Sequence, residues 1–173
     1  ENKKLRELIN ETVQSEDVYA KVLVDKDSPY LKSIILNKGS KDNIKIGMAI
    51  VDRSYLVGKI IEVNYTNSRA LLLSDLNSKI PVLLEPMDIH AVLSGTGKNY
   101  GAIEYTKDEY KKKLTSNEII VYTSGYGGLF KPGLPIGKII TNNFNKDNQV
   151  NFFSDFRQLD YVKIVSYEIG SGN

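Results

Sequence analysis

One set of residues has the chemistry of a catalytic triad. His90, Asp108 and Ser124 follow one another in the order that trypsin-like serine hydrolases use, and those enzymes also consist of two small β-barrels. Ser124, however, lacks the Gly-Asp-Ser-Gly surroundings that form the oxyanion hole in that class. Alternation along the chain also places His90 on the face opposite Ile89 and Ala91, which is typical of an exposed histidine. We therefore expect no catalytic residues, and a trypsin-like serine hydrolase on a two-barrel fold remains the alternative function.

Residues that could hold a metal ion or a phosphate group are also scarce. The chain has no cysteine and one histidine, which excludes thiolate metal sites and disulfides. Lys79 stands where a calcium loop beginning at Asp75 would need an oxygen ligand. Gly128 and Gly133 have the glycine spacing of a P-loop, but Leu134 stands where that motif requires lysine. We expect neither a metal nor a cofactor.

Composition describes a folded chain without a strong electrostatic field. With 173 residues, 41% of them hydrophobic, the chain can form one domain of ordinary size or two small ones. Its 23 basic and 21 acidic residues are interspersed and give a net charge of +2, so we expect no nucleic-acid partner. No apolar run approaches the roughly 18 residues that a membrane-spanning helix needs.

Short β-rich segments dominate the chain after Glu16. Their apolar residues alternate, and Gly, Asn, Asp and Ser separate them, which favours antiparallel sheets closed into barrels or sandwiches. The glycine-rich turn 94–99 is the best candidate for a boundary between two barrels, at 16–94 and 95–167. We predict about twelve strands, at 18–24, 33–37, 48–51, 56–63, 69–73, 79–84, 90–94, 102–105, 119–122, 136–141, 149–153 and 161–165.

The first fifteen residues predict an amphipathic helix. Charged residues surround one helical stripe, which would dock on the rest of the chain or pair with a second copy. No capping residue precedes this helix, so we expect the natural protein to continue upstream of Glu1. The stripe consists of Leu5, Leu8, Ile9, Thr12 and Val13, and we take Leu5 and Ile9 as candidate contacts for self-association.

A segment rich in glycine and proline, 121–139, joins two of the predicted strands. It contains five of the thirteen glycines and two of the five prolines, and its chemistry is mostly that of the backbone. We predict a structural loop of one defined shape, in which glycine supplies positive φ angles and proline restricts φ. The loop residues concerned are Gly125, Gly127, Gly128, Pro132 and Gly133.

Aromatic residues flank this loop. Tyr122, Tyr126 and Phe130 lie on either side of its glycines, and the second half of the chain holds more rings than a small barrel can enclose. Tyrosine is a common anchor of protein interfaces. We therefore predict that these three residues contact another protein.

The same loop carries a resemblance to a known family. Residues 123–138 are similar to the signature of the extracytoplasmic domain of the MreC family of rod shape-determining proteins. Earlier in the chain, Asn43 and Tyr55 depart from the family's pattern, which usually has glycine at the first of these positions and often at the second. Further matches follow in the family's order at Asn37–Asp42, Gly47–Ala49, Leu56–Ile60, Ser68–Arg69, Leu71–Asp75 and Lys79–Val82, and strand 161–165 fits the family's ending.

The resemblance implies a mainly β fold, in which the end of a coiled-coil helix, residues 1–15, precedes two antiparallel barrels of about six strands each. Seven predicted strands precede the turn 94–99 and five follow it, so one early strand would then have to cross over. The implied function is a non-enzymatic scaffold of the cell-elongation machinery that organises lateral peptidoglycan synthesis and rod shape. The implied partners are a second copy, an elongation-specific class B penicillin-binding protein, MreD, RodA and the MreB pathway. The implied location is the outer (periplasmic) side of the cytoplasmic membrane, held by an upstream transmembrane helix.

Overall fold

The computed structural model describes residues 17–27, 32–104, 118–128, 130–140 and 148–167. These residues form twelve strands, in agreement with the number predicted. The predicted helix 1–15 lies outside the described residues. The strands are β1 (Val18–Asp27), β2 (Lys32–Leu36), β3 (Ala49–Asp52), β4 (Tyr55–Val63), β5 (Ser68–Leu72), β6 (Lys79–Glu85), β7 (Ile89–Gly95), β8 (Tyr100–Glu104), β9 (Glu118–Thr123), β10 (Pro135–Ile140), β11 (Gln149–Phe152) and β12 (Tyr161–Val165).

All strand pairs are antiparallel and close into two barrels of six strands, as expected. The first barrel has the order β1-β12-β3-β4-β5-β2, and the second has the order β10-β11-β8-β7-β6-β9. Closure leaves no sheet edge exposed, which suits strands as short as these. Across the described ranges, no helix is both long enough and apolar enough to cross a membrane.

The predicted boundary between residues 94 and 95 is wrong. It falls within β7, and the turn that follows joins β7 to β8 as a hairpin in the second barrel, with Gly95 opposite Gly101. Strands β6 and β7 therefore belong to the second barrel, and the strand that crosses over is the last one: β12 returns to the first barrel between β1 and β3. Gly and Asn residues form a tight hairpin turn as readily as a linker, so composition could not separate the two.

Alternation places the apolar side chains inside each barrel. In β6, for example, Ile80, Val82 and Leu84 are buried while the residues between them face outwards. The first barrel encloses an equivalent set contributed by all six of its strands, namely Ala20, Ile34, Leu36, Ile50, Val57, Ile60, Ala70, Leu72, Val162 and Ile164.

The two barrels pack against each other through apolar side chains. Ala49 and Leu56 belong to strands of the first barrel, but they pack into the core cluster of the second. Phe156 contacts both cores, and the rings of Tyr55 and Phe153 lie 5.1 Å apart between their centroids. This shared packing holds the barrels in one relative orientation.

A buried aspartate reinforces the same junction. Asp75 lies in the connection from β5 to β6 and is 1% exposed. Its Oδ2 accepts a hydrogen bond from the Lys32 backbone N–H at 2.7 Å, and its Oδ1 accepts one from the Asn77 N–H at 2.8 Å. The carboxylate thus ties the start of β2 to the connection between the barrels.

Candidate protein-contact face of the second barrel

The loop between β9 and β10 is organised by Thr123, the last residue of β9. Its buried hydroxyl donates to the Lys131 carbonyl at 2.7 Å and accepts from the Leu134 N–H at 2.9 Å. The Thr123 carbonyl also accepts from the Gly133 N–H at 2.9 Å. One side chain therefore joins both ends of the loop. Thr123 is not among the site residues predicted from the sequence, although a hydroxyl residue at a strand end before a Gly-Pro segment is a recognisable signal.

The glycines of this loop have the backbone conformation that the sequence predicts. Gly125, Gly127, Gly128 and Gly133 have φ angles of 73°, 77°, 68° and 85°, a region that other residues rarely occupy. At Gly125 an added Cβ would lie 2.9 Å from the Pro132 Cβ, whereas at Gly127 it would meet no atom within 4 Å. The loop is therefore held by backbone geometry as well as by Thr123.

This loop presents Tyr126 to solvent. Tyr126 begins a single 3₁₀ turn, Tyr126–Gly128, and is 75% exposed. Its backbone N–H donates to the Ser124 hydroxyl at 3.2 Å, which fixes the start of the turn. Its ring lies 6.4 Å from the ring of His90 on β7, measured between centroids. A rigid loop thus holds an aromatic side chain above the outer surface of the barrel.

The strands beneath Tyr126 carry an apolar outer surface. Leu83 on β6 lies opposite His90 on β7 and Tyr122 on β9, so these three outward-facing residues form one row across three strands. A barrel strand that faces only water would carry polar residues in these positions. We call this surface the tyrosine face, and it comprises Pro81, Leu83, His90, Val92, Ile120, Tyr122 and Tyr126.

The tyrosine face has the composition of a protein interface. Aliphatic and aromatic side chains form its centre, and the charged residues Lys79, Glu85 and Glu118 lie at the ends of its strands. Contiguous outward-facing apolar side chains of this kind commonly mark binding surfaces, and exposed tyrosine is among the best anchors. The structure thus brings Tyr122 and Tyr126 together and adds His90 and Leu83, which our sequence analysis did not predict as contacts.

Phe130 does not belong to this surface, so the prediction that it is an exposed contact beside Tyr122 and Tyr126 is wrong. It is 2% exposed and packs into the core of the second barrel. The loop folds back through Thr123 and places the ring over the barrel interior, where an apolar side chain is more stable than in water. Leu5 and Ile9, the other predicted contacts, lie outside the described residues.

Ser124 and His90, the nucleophile and base of the hydrolase alternative, do not form the pair that such an enzyme requires. His90 is exposed and neighbours Tyr126, while the Ser124 hydroxyl accepts from the Tyr126 backbone. Within the described part of the chain, no hydrogen bond joins His90 to Ser124, the contact that activates a serine. Asp108 lies outside that part. No cluster of three or more potential metal ligands occurs among the described residues either.

Comparisons with known proteins agree with this geometry. Residues 22–166 match the family model described as rod shape-determining protein MreC, barrel core. The chain is 34% identical over 149 residues to the cell shape-determining protein MreC of Cereibacter sphaeroides, covering 86% of this chain and 48% of that protein. It therefore spans about half the length of this curated relative.

Two solved structures share the fold. The crystal structure of MreC from Pseudomonas aeruginosa superposes with a TM-score of 0.74 at 22% identity, covering 87% of this chain and 99% of that one. The second is a chain from the complex between penicillin-binding protein (PBP2) and MreC from Helicobacter pylori. It superposes with a TM-score of 0.59 at 12% identity and covers 88% of this chain and 99% of that one.

Proposed function

Because the chain belongs to the MreC family of rod shape-determining proteins, we propose that it is a non-enzymatic scaffold of the bacterial cell-elongation machinery, which organises lateral peptidoglycan synthesis. The observation that carries this proposal is the tyrosine face, an apolar outer surface held beside a rigid loop. A scaffold needs such surfaces because its function consists of binding other proteins in a fixed arrangement. The cell-shape role of the matched relatives supports the same conclusion.

The partner proposed for the tyrosine face is the elongation-specific class B penicillin-binding protein. A complex between a penicillin-binding protein and MreC has been solved for Helicobacter pylori, and its MreC chain shares the present fold. In our chain, Tyr126 would act as the anchor, since it is the most exposed large apolar residue of this face. Leu83 and Tyr122 would supply the flat surface around it.

The remaining proposed contacts lie outside the two barrels. Self-association would use the stripe that contains Leu5 and Ile9, since a helix of about fifteen residues is marginal alone and is stabilised by pairing. An upstream transmembrane helix would hold the barrels on the outer side of the cytoplasmic membrane. There the scaffold would connect MreD, RodA and the MreB pathway with the penicillin-binding protein, as the family resemblance implies.

A binding measurement with two surface variants tests the proposed contact. We expect Tyr126→Ala and Leu83→Lys each to weaken binding of the soluble domain of the class B penicillin-binding protein by about 30-fold, the equivalent of an anchor worth about 2 kcal/mol. Biolayer interferometry gives the dissociation constant, and circular dichroism melting confirms that each variant is folded. Tyr65→Ala is the matched control, because Tyr65 is equally exposed but lies on the first barrel. Unchanged binding by both folded variants would place the contact elsewhere.

A further inference from the structure

A groove lies between the two barrels, next to the glycine-rich loop. Its volume is about 290 Å³. One wall is the segment that leads into β3, and the other is formed by the loop residues Gly128, Phe130, Lys131 and Leu134. The end of β12 closes one side, because Val165 is paired with Ala49 of β3. Paired strands supply Ala49 and Val165 to the lining, and the hydrogen-bonded loop supplies Lys131 and Leu134, so the fold sets the positions of these four residues.

The groove is lined mainly by apolar side chains. Ala49, Phe130 and Leu134 form the floor, and all three pack against the core of the second barrel. At the rim, Ile46 is 69% exposed and Tyr167 is 41% exposed. Water in such a concave apolar site is readily displaced by an apolar side chain, which would bury the rim residues as well.

The charge around the groove has one sign. Lys45 and Lys131 line it, and none of its other lining residues carries a carboxylate. Within the described residues, neither ammonium group takes part in an ion pair. The backbone carbonyl of Lys131 is held by the Thr123 hydroxyl, so the base of this side chain is fixed beside the groove. Two unpaired cations around an apolar site favour an occupant that carries negative charge next to its apolar group.

We propose that the inter-barrel groove binds a protein segment in which one or two apolar side chains are flanked by acidic residues. The apolar side chains would enter the groove, and the carboxylates would pair with Lys45 and Lys131 at its rim. A concave site of this size receives side chains of a peptide better than the flat surface of a membrane. The groove and the tyrosine face share no residue, although Gly128 of the groove lies in the same turn as Tyr126, and binding in the groove does not depend on the contact proposed for the tyrosine face.

The test uses a defined acidic peptide and nuclear magnetic resonance. The probe is the capped hexapeptide Glu-Leu-Phe-Glu-Leu-Glu, titrated to about 1 mM into the uniformly labelled chain. We expect amide shifts in the segments 45–49, 131–134 and 165–167, with the resonances of His90 and Tyr122 unmoved. Two control peptides replace either all glutamates by lysine or all apolar residues by serine, and neither is expected to bind.

A charge-reversed variant supplies the second readout. Lys45→Glu combined with Lys131→Glu should weaken binding of the acidic peptide by about tenfold or more and should favour the lysine peptide, because each attraction becomes a repulsion. Lys98→Glu, at an exposed position in the β7–β8 turn, is the matched control and should change little. The double variant should still bind the penicillin-binding protein, which separates this proposal from the preceding one. The proposal would be overturned by absence of shifts, by shifts outside the groove, by unchanged binding in the double variant, or by stronger shifts with phosphatidylglycerol vesicles.

Discussion

Single residues set the shape of the loop that carries Tyr126. Thr123 supplies one hydroxyl that both donates and accepts a hydrogen bond in a buried position, so its removal would leave a carbonyl and an N–H without partners. The glycines act differently, because they permit backbone angles that cost other residues energy. A side chain added at Gly127 would cause backbone strain alone, whereas one added at Gly125 would cause backbone strain and steric overlap, so substitutions at the two positions separate these costs.

Gly127→Ala and Gly125→Ala form a matched pair for this purpose. We expect Gly127→Ala to lower the free energy of unfolding by about 1–2 kcal/mol, since a positive φ is the only penalty there. Gly125→Ala should lower the free energy of unfolding by about 1 kcal/mol more than Gly127→Ala, because the added methyl group would also overlap the Pro132 ring. Urea denaturation followed by circular dichroism measures both values. Equal losses would show that Pro132 moves aside without cost, and no loss at Gly127 would contradict the strain argument.

Strand β12 is the element that decides the architecture. It pairs with β1 on one side and with β3 on the other, so the last strand of the chain completes the first barrel. Its inward residues Val162 and Ile164 belong to the core of that barrel. The second barrel consists of six strands that are consecutive in the chain and does not need β12. A substitution that destabilises β12 should therefore destabilise mainly the barrel that β1–β5 form.

Two neighbouring substitutions in β12 test this dependence. Ile164→Ala should cost about 2–5 kcal/mol, because it opens a cavity in the first core. Lys163→Ala should cost less than about 1 kcal/mol, since Lys163 faces outwards and forms an ion pair with Asp17 at 3.5 Å that solvent screens. Hydrogen exchange should show a larger loss of protection in β1–β5 than in β6–β11 for Ile164→Ala. Loss confined to the second barrel would support the boundary at residues 94 and 95 instead.

At the scale of the whole molecule, the two barrels behave as one packed unit. The core of the second barrel includes Ala49 and Leu56 from the first, and Asp75 hydrogen-bonds across the junction. Gly95 contributes to the same junction, because an added Cβ would collide with the Asp75 carbonyl. A fixed angle between the barrels keeps the tyrosine face and the inter-barrel groove in a constant relation. That property is what a scaffold with two proposed contact sites requires.

Asp75→Asn measures how much the junction contributes. The substitution replaces one acceptor oxygen by an NH₂ group that would face a backbone N–H, so we expect a loss of about 1–3 kcal/mol. Differential scanning calorimetry measures this loss. Asp52→Asn is the control, since Asp52 forms a long ion pair with the exposed Arg53. Its free energy of unfolding should stay within about 0.5 kcal/mol of that of the parent chain.

Local features of this protein follow from its sequence. Period-two alternation and turn residues identify all twelve strands, because a strand's inward and outward faces are set by its own residues. The positive φ angles of the loop glycines are predictable because glycine lacks a Cβ. The exposure of His90 between the buried Ile89 and Ala91 is predictable from alternation. Asn43 takes a φ of 64°, which its residue type allows, since asparagine tolerates the left-handed region.

Only the tertiary structure decides which strands share a barrel. Strand β12 pairs with β1 and β3 through contacts between residues far apart in the chain, and no local pattern encodes that choice. The same holds for Phe130, whose apolar ring suits an interface or a core equally well until the loop bonds of Thr123 turn it inwards. It also holds for the groove, which exists because three distant segments meet. Sequence determines the chemistry of each segment, whereas long-range packing determines what that segment faces.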